Sequence, residues 1–246
     1  VKRAPPRPSA WAAARPRSPL TVLMPAFRRR WVGVPVDRDS QPLGLQLVAG
    51  APAPQQLDGR TCGPTALTTA RMLRDPALAD WVRTGDKHGR AFPDGPSAAL
   101  RLAAYHSLVH ARTNALVGPG GRLQVPWPRA LGTTPWGVCG ELESGAADPG
   151  ARYRIVPVRR ADGSRLAALV GHLASHLRPG RPGVLFVGSA TLPRHVALLV
   201  AGPDGSVLVH DPSAGSVSEL DVATLADPRT AVAGWTHPWF LIGPVG

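Results

Sequence analysis

The first half of the chain is predicted to be mainly helical. Apolar residues recur there at three- and four-residue spacing, which places them on one face of a helix. We predict helices over 64–74, 77–83, 97–111 and 136–143. Pro64 suits the first turn of its helix, where no intrahelical N–H is needed. The Ser97 side chain can cap the start of the third helix.

The second half of the chain is predicted to form a sheet. Short apolar runs bounded by Gly, Pro and Asp predict strands over 153–158, 183–188, 195–201, 207–211 and 239–242, with one helix over 164–177. Two short edge strands are predicted upstream, over 31–36 and 43–49. A helical half followed by a mostly antiparallel sheet is an α+β arrangement.

Positive charge is concentrated at the N-terminus. The formal net charge is +12, and eight positive charges lie within residues 1–30, before the first acid. Subtracting these eight leaves +4 for residues 31–246. Because prolines interrupt 1–30 and little of it is apolar, we predict a disordered tail followed by one folded domain over 31–246. An arginine arm that binds nucleic acid is one alternative, but aromatic residues do not interleave with the arginines, so we expect no nucleic-acid partner.

Several protein classes are disfavoured by the composition. No apolar run approaches the roughly 18 residues of a membrane span. Two cysteines do not form a disulfide framework, which favours a reducing, cytoplasmic compartment. His172 and His176 have the spacing of metal ligands, but the glutamate of the zinc-protease motif and a third ligand are missing. We therefore expect no metal and no cofactor.

Cys62 is the candidate nucleophile because it lies at the start of a predicted helix. The unpaired N–H groups and the positive dipole end of a helix favour the thiolate, which is the reactive form of cysteine. Gly63 lets the backbone pass close to a substrate. The alternative is a buried cysteine that only packs there. Cys139 has no base nearby in sequence, and a Cys62–Cys139 disulfide, which would abolish the mechanism, is a further alternative.

His195 and Asp211 are the candidate base and its orienting acid. The turn that joins their strands suits a type I turn with Gly205 as the left-handed bulge residue. In that register Ala197 faces Asp211, and His195 lies two residues further along on the same face. Such diagonal neighbours are about 7 Å apart, within reach of a side-chain hydrogen bond. His210 falls on the other face and is a poorer base. The alternatives are a solvent-facing histidine and an ordinary turn aspartate.

These residues together resemble the papain-like superfamily of cysteine peptidases. Gln56 precedes a Cys-Gly-Pro sequence at Cys62, a strand begins with His195, and another strand ends with Asp211 before a proline. The chain is most similar to the bacteriocin-processing peptidases that cleave double-glycine leaders, and to their stand-alone relatives, over about residues 55–245. The separation of 133 positions from Cys62 to His195 lies within the spacing of about 130–150 found in papain-like enzymes.

The resemblance implies a papain-like fold, in which the helix that carries the nucleophile packs on the sheet. It also implies that Cys62 is the nucleophile, His195 the general base and acid, and Asp211 the orienter. Gln56 would form the oxyanion hole with the backbone N–H of Cys62, and Gln55 is the alternative. Two tryptophans, Trp127 and Trp136, are either walls of the cleft or part of the core.

We therefore expect a cysteine hydrolase that cleaves a peptide or isopeptide amide bond of a peptide or protein substrate through a thioester. The same three residues also serve deamidases and acyltransferases, and fold similarity does not separate these activities. A catalytically silent papain-like domain used for binding is the alternative from another class.

Overall fold

The computed structural model describes residues 44–127 and 132–245 of the chain. They belong to one structural unit, Asp39–Gly246. The predicted tail 1–30, its boundary with the folded domain and the strand predicted over 31–36 lie outside the described residues. None of the described helices is long and apolar enough to cross a membrane.

Five α-helices are present in the described part of the chain. They are α1 (Cys62–Arg74), α2 (Pro76–Thr84), α3 (Ala98–Thr113), α4 (Pro135–Glu141) and α5 (Gly163–Ala174). As predicted, the Ser97 side chain caps α3 by accepting the N–H of Leu100. The helix α1 begins two residues before its predicted start, so Cys62 is its first residue.

Six strands form one sheet in the described residues. They are β1 (Arg152–Pro157), β2 (Gly183–Gly188), β3 (Pro193–Ala201), β4 (Val207–Asp211), β5 (Ser216–Leu220) and β6 (His237–Val245). Their order is β1-β6-β2-β3-β4-β5, and each of these pairs is antiparallel. The edge strand β5 was not predicted, because only Val217 among its five residues is buried.

The strand predicted over 43–49 is wrong for the residues described there, 44–49. Leu45 and Leu47 alternate with exposed positions as a strand would, but they contribute to the core through their side chains instead of pairing with the sheet. Just after this segment, the N–H of Gly50 donates to the carbonyl oxygen of Val217 at 2.9 Å, and an isolated bridge joins Pro52 to Ser216 of β5. Alternation alone does not separate a paired strand from an extended segment that packs through side chains.

The sheet lies between two helical layers, and this placement follows from the alternation of its side chains. Val184 and Phe186 of β2 pack with α1 to α4, whereas Leu185 and Val187 pack with α5 on the opposite face. The helix α1 lies directly against β3. The predicted fold class, α+β with the cysteine-bearing helix packed on an antiparallel sheet, is confirmed.

The hairpin β3–β4 has the register that its turn chemistry predicts. Leu198 pairs with His210, so Ala197 falls beside Asp211. Gly205 adopts the left-handed conformation, with φ of +78°, which a glycine accepts without strain. This register brings the start of β3 and the end of β4 to the same end of the sheet.

Candidate active site

Cys62 is the first residue of α1, and its side chain is buried, with 5% of its surface exposed. The preceding Thr61 does not cap the helix with its side chain. Its hydroxyl instead accepts the N–H groups of Leu57 and Asp58 in the approaching loop, at 3.1 and 3.3 Å. The first N–H groups of α1 therefore have no side-chain cap. Such groups favour an anion at this end of a helix.

His195 and Asp211 form a hydrogen-bonded pair across β3 and β4. The distance from Nε2 of His195 to Oδ1 of Asp211 is 2.7 Å. An ionised carboxylate only accepts hydrogen bonds, so Nε2 donates. Burial raises the pKa of Asp211, but the hydrogen bonds from His195 and from the N–H groups of Ser213 and Ala214 outweigh it and lower the pKa. Asp211 is thus an ionised acceptor for the N–H of the imidazole.

Cys62 and His195 line the same pocket, and the thiol is among the groups that act on the pKa of the imidazole. Because Nε2 is taken by Asp211, Nδ1 is the ring nitrogen available to the thiol. Burial lowers the pKa of His195, but the hydrogen bonds to Asp211 and Cys62 and the charges of both groups outweigh it and raise the pKa to about 9. A pKa of about 9 corresponds to a protonated imidazole at neutral pH.

The other histidine and the other cysteine considered from the sequence are not part of this arrangement. His210 is fully buried, its Nε2 lies 2.7 Å from the carbonyl oxygen of Pro54, and burial lowers its pKa to about 4. Cys139 is a free thiol, as is Cys62, so the structure has no disulfide between them. Burial raises the pKa of Cys139 to about 12, which makes it a poor nucleophile.

Gln56 lies beside the end of β4, next to the His195–Asp211 pair. Its backbone N–H donates to the carbonyl oxygen of Pro212 at 2.8 Å. Its side-chain Oε1 is buried and has no hydrogen-bond partner among the described residues, so the carboxamide has unused hydrogen-bonding capacity. Gln55, the alternative, instead donates through Nε2 to the carbonyl oxygen of Ser213 at 2.9 Å. An oxyanion needs a donor, so the role expected of Gln56 would fall to its Nε2, whereas the Nε2 of Gln55 is already bound to Ser213.

A pocket opens beside Cys62 and His195, with Phe186 and Val196 of the sheet and Trp127 and Thr133 from between α3 and α4 among its lining residues. Of the two tryptophans considered from the sequence, Trp127 lines this pocket. Trp136 packs behind it with ring centroids 5.8 Å apart, and its Nε1 donates to the carbonyl oxygen of Val125.

Thr133 is a lining residue that the sequence analysis missed. It packs against the first turn of α1 so closely that a Cβ at Gly63 would lie 2.5 Å from its Oγ1. The neighbouring Thr134 caps α4 by accepting the N–H of Gly137. This capping threonine is the one sequence signal close to Thr133. Gly63 is thus required for packing, in addition to the substrate approach predicted from the sequence.

No group of three or more His, Cys, Asp or Glu side chains that could hold a metal ion occurs in residues 44–127 and 132–245. His172 and His176 do approach each other on α5, with ring centroids 4.6 Å apart. His176 Nδ1, however, lies 2.8 Å from the backbone carbonyl oxygen of His172.

Comparison with solved structures finds similarity to two bacterial proteins. One is the peptidase domain of Streptococcus ComA, a bifunctional ABC transporter of a quorum-sensing pathway, with 14% identity, a TM-score of 0.37, and coverage of 79% of this chain and 98% of that one. The other is the avirulence protein AvrPphB of Pseudomonas, with 12% identity, a TM-score of 0.41, and coverage of 76% and 91%. No family model and no curated protein matches the chain. Similarity at this level concerns the fold, and the function proposed below is argued from the geometry of the site.

Proposed function

We propose that the chain is a papain-like cysteine hydrolase that cleaves a peptide or isopeptide amide bond through a thioester on Cys62. The observation that carries the proposal is the arrangement of three groups: Cys62, at the uncapped start of α1, lines one pocket with His195, and Asp211 is hydrogen-bonded to the His195 ring. Each side chain is positioned by a different element. Together they supply a nucleophile, a base and an orienting acid, as covalent catalysis by a cysteine requires.

In the first half of the proposed reaction, the Cys62 thiolate attacks the carbonyl carbon of the substrate amide. The negative charge that develops on the carbonyl oxygen needs fixed donors, and the backbone N–H of Cys62 and the side chain of Gln56 are assigned this role. The loss of one such donor costs on the order of 10²-fold in rate. His195 then gives its proton to the leaving amine, and the C–N bond breaks to leave a thioester.

In the second half, His195 takes a proton from water as the water attacks the thioester carbonyl. The C–S bond breaks, the acid product leaves, and the thiolate and imidazolium are restored. Throughout, Asp211 holds the ring in the tautomer that keeps Nδ1 towards the sulfur. An amine in place of water would make the same site an acyltransferase.

The test of the proposed nucleophile is alkylation by iodoacetamide as a function of pH, with peptide mapping of the two cysteines. We expect Cys62 to be labelled well below pH 8 and to lose much of this reactivity in His195→Ala, because the imidazolium no longer stabilises the thiolate. Cys139 is the internal control and should react far more slowly at every pH, since burial raises its pKa to about 12.

If Cys62 reacts only as an ordinary thiol, the proposed nucleophile is wrong and the silent binding domain becomes the better interpretation. An activated Cys62 would justify the second measurement, which is cleavage of a peptide library followed by mass spectrometry. Cys62→Ala should abolish that cleavage and Cys139→Ala should leave it unchanged.

A further inference from the structure

Two arginines stand at the edge of the proposed catalytic pocket. Arg60 lies in the loop just before α1, and Arg194 lies in β3 directly before His195; both line the pocket and both are exposed. In the described part of the chain, no acidic side chain lines the pocket with them. The pocket is therefore positively charged on the loop side and on the sheet side of Cys62.

Neither guanidinium group has an acidic partner among the described residues. The nearest acid in sequence, Asp58, accepts the backbone N–H of Arg60 at 2.8 Å rather than its side chain. Arginines elsewhere in the helical layer are paired: Arg112 binds Glu141, and Arg90 binds Asp75 at 2.7 Å. The two arginines of the pocket therefore leave their charge available to a ligand.

A second observation at the same pocket also indicates a ligand. The hydroxyl of Thr133 and the Nε1–H of Trp127 are buried and have no hydrogen-bond partner within the described residues. Thr133 is only 2% exposed. Buried polar groups are normally hydrogen-bonded, and leaving one unpaired costs about 1–3 kcal/mol. Both residues line the pocket, so these unpaired groups lie next to the space that a peptide would occupy.

We propose that Arg60 and Arg194 bind a carboxylate of the substrate close to the scissile amide, so that the site selects acidic peptides. This inference rests on the proposed function and adds the chemical class of the substrate. The planar guanidinium group matches a carboxylate with two parallel hydrogen bonds. A peptide offers this group either as an Asp or Glu side chain or as its C-terminal carboxylate.

The charge selectivity can be measured without knowing the substrate. Iodoacetate and iodoacetamide are small reagents with the same leaving group, but only iodoacetate carries a carboxylate. The quantity measured is the ratio of their alkylation rates at Cys62, iodoacetate over iodoacetamide, in the full chain. His195 also attracts the anion, but it is present in every variant, so changes in the ratio report on the arginines.

We expect the double substitution Arg60→Gln/Arg194→Gln to lower this ratio about tenfold at low salt, and added salt to reduce the difference. The charge-preserving Arg60→Lys/Arg194→Lys should retain most of the ratio. The matched control, Arg165→Gln/Arg178→Gln, removes two exposed positive charges outside the pocket and should keep the ratio within about twofold. A ratio that is unchanged in the glutamine variant, or that falls equally in the control, overturns the inference.

Failure of the inference and failure of the proposed function give different results here. Poor reactivity of Cys62 towards both reagents contradicts the nucleophile itself. High reactivity of Cys62 with a rate ratio that does not change when Arg60 and Arg194 are replaced contradicts only the carboxylate site.

Peptide substrates then distinguish the two sources of the carboxylate. Pairs with Glu or Gln beside the scissile bond test the side chain, and pairs with a free or an amidated C-terminus test the terminal group. We expect the acidic member of one pair to have a kcat/KM about tenfold higher, and this preference to disappear in Arg60→Gln/Arg194→Gln. Equal kcat/KM values within both pairs would also overturn the inference.

Discussion

At the scale of single residues, His195 is the group on which the site depends. One of its ring nitrogens is held by Asp211, and the other remains for Cys62. Burial alone would keep this imidazole neutral, and the two neighbouring groups reverse that tendency. The charge state of His195 is thus a property of the assembled site rather than of the histidine.

This dependence gives a prediction for Cys62→Ala. The substitution removes a hydrogen bond and a charge that raise the pKa of His195, so the pKa should fall from about 9 towards or below the ordinary value of about 6.5. NMR titration of the His195 ring protons measures the shift. The matched control Cys139→Ala should leave the pKa unchanged. A pKa that stays near 9 in Cys62→Ala would show that the thiol does not contribute.

The His195–Asp211 contact could be predicted from the sequence because both residues belong to one hairpin whose turn fixes the register. Thr133 could not be found in this way. Its contact with the first turn of α1 joins segments about seventy residues apart. Local sequence patterns do not predict a contact over such a separation. The sequence therefore predicts contacts of the candidate site that lie within one hairpin, but it does not predict contacts between segments that are distant in the chain.

At the scale of elements, a buried arginine of α3 connects this helix by hydrogen bonds to α2 and to the loop after α2. The side chain of Arg101 is 7% exposed and donates to the carbonyl oxygens of Val82, Arg83 and Gly95, at distances of 3.0, 3.0 and 2.9 Å. Two of these carbonyls lie in the last turn of α2, where intrahelical partners are missing. The guanidinium group replaces those partners and also holds the loop.

We predict that Arg101→Met lowers the free energy of unfolding by about 3 kcal/mol, because it leaves buried carbonyl groups unpaired. Urea denaturation at neutral pH measures the loss. Limited proteolysis should show earlier cleavage within 85–97. The control Arg165→Met, at an exposed position of α5, should change stability by less than about 0.5 kcal/mol. A loss below about 1 kcal/mol in Arg101→Met would contradict the fastening role.

The elements themselves were predictable to different degrees. The buried strand β2 and the helix α3 follow from apolar runs and a capping serine. The edge strand β5 has a single buried residue, Val217, and hence too little pattern to predict it. The segment 44–49 shows the opposite case, because its apolar residues have the two-residue spacing of a strand but it does not pair with the sheet. Edge strands bury few side chains, so their sequences show little of the apolar pattern from which strands are predicted.

At the scale of the whole molecule, two fully buried histidines link stability to pH. His106 of α3 and His210 of β4 are both 0% exposed. Burial is the main cause that lowers the pKa of His106 to about 3 and that of His210 to about 4. Both values lie below about 6.5, so the unfolded chain binds protons in mild acid that the folded chain does not. Their contribution to stability is present above pH 6.5 and is lost as the pH falls.

We predict that stability decreases by about 1.4 kcal/mol per pH unit for each of these histidines between pH 6.5 and 4.5. In His106→Phe, the slope of unfolding free energy against pH over that range should be shallower by about this amount for one histidine. Urea denaturation at a series of pH values provides the slope. The matched control is Leu108→Phe at an exposed position of α3, which removes no titratable group and should leave the slope unchanged. A wild-type slope in His106→Phe would contradict the prediction.

The hairpin β3–β4 has a consequence for the order in which the protein is made. A ribosome releases Cys62 well before His195, which follows it by 133 residues, and domains fold as their chains emerge. His195 and Asp211 can meet within their own hairpin, but the thiol reaches them only after a long loop closes and α1 docks on β3. Closing such a loop is costly in entropy and comes late. The nascent chain therefore carries an ordinary thiol, and the proposed protease is switched on by the completion of its own folding.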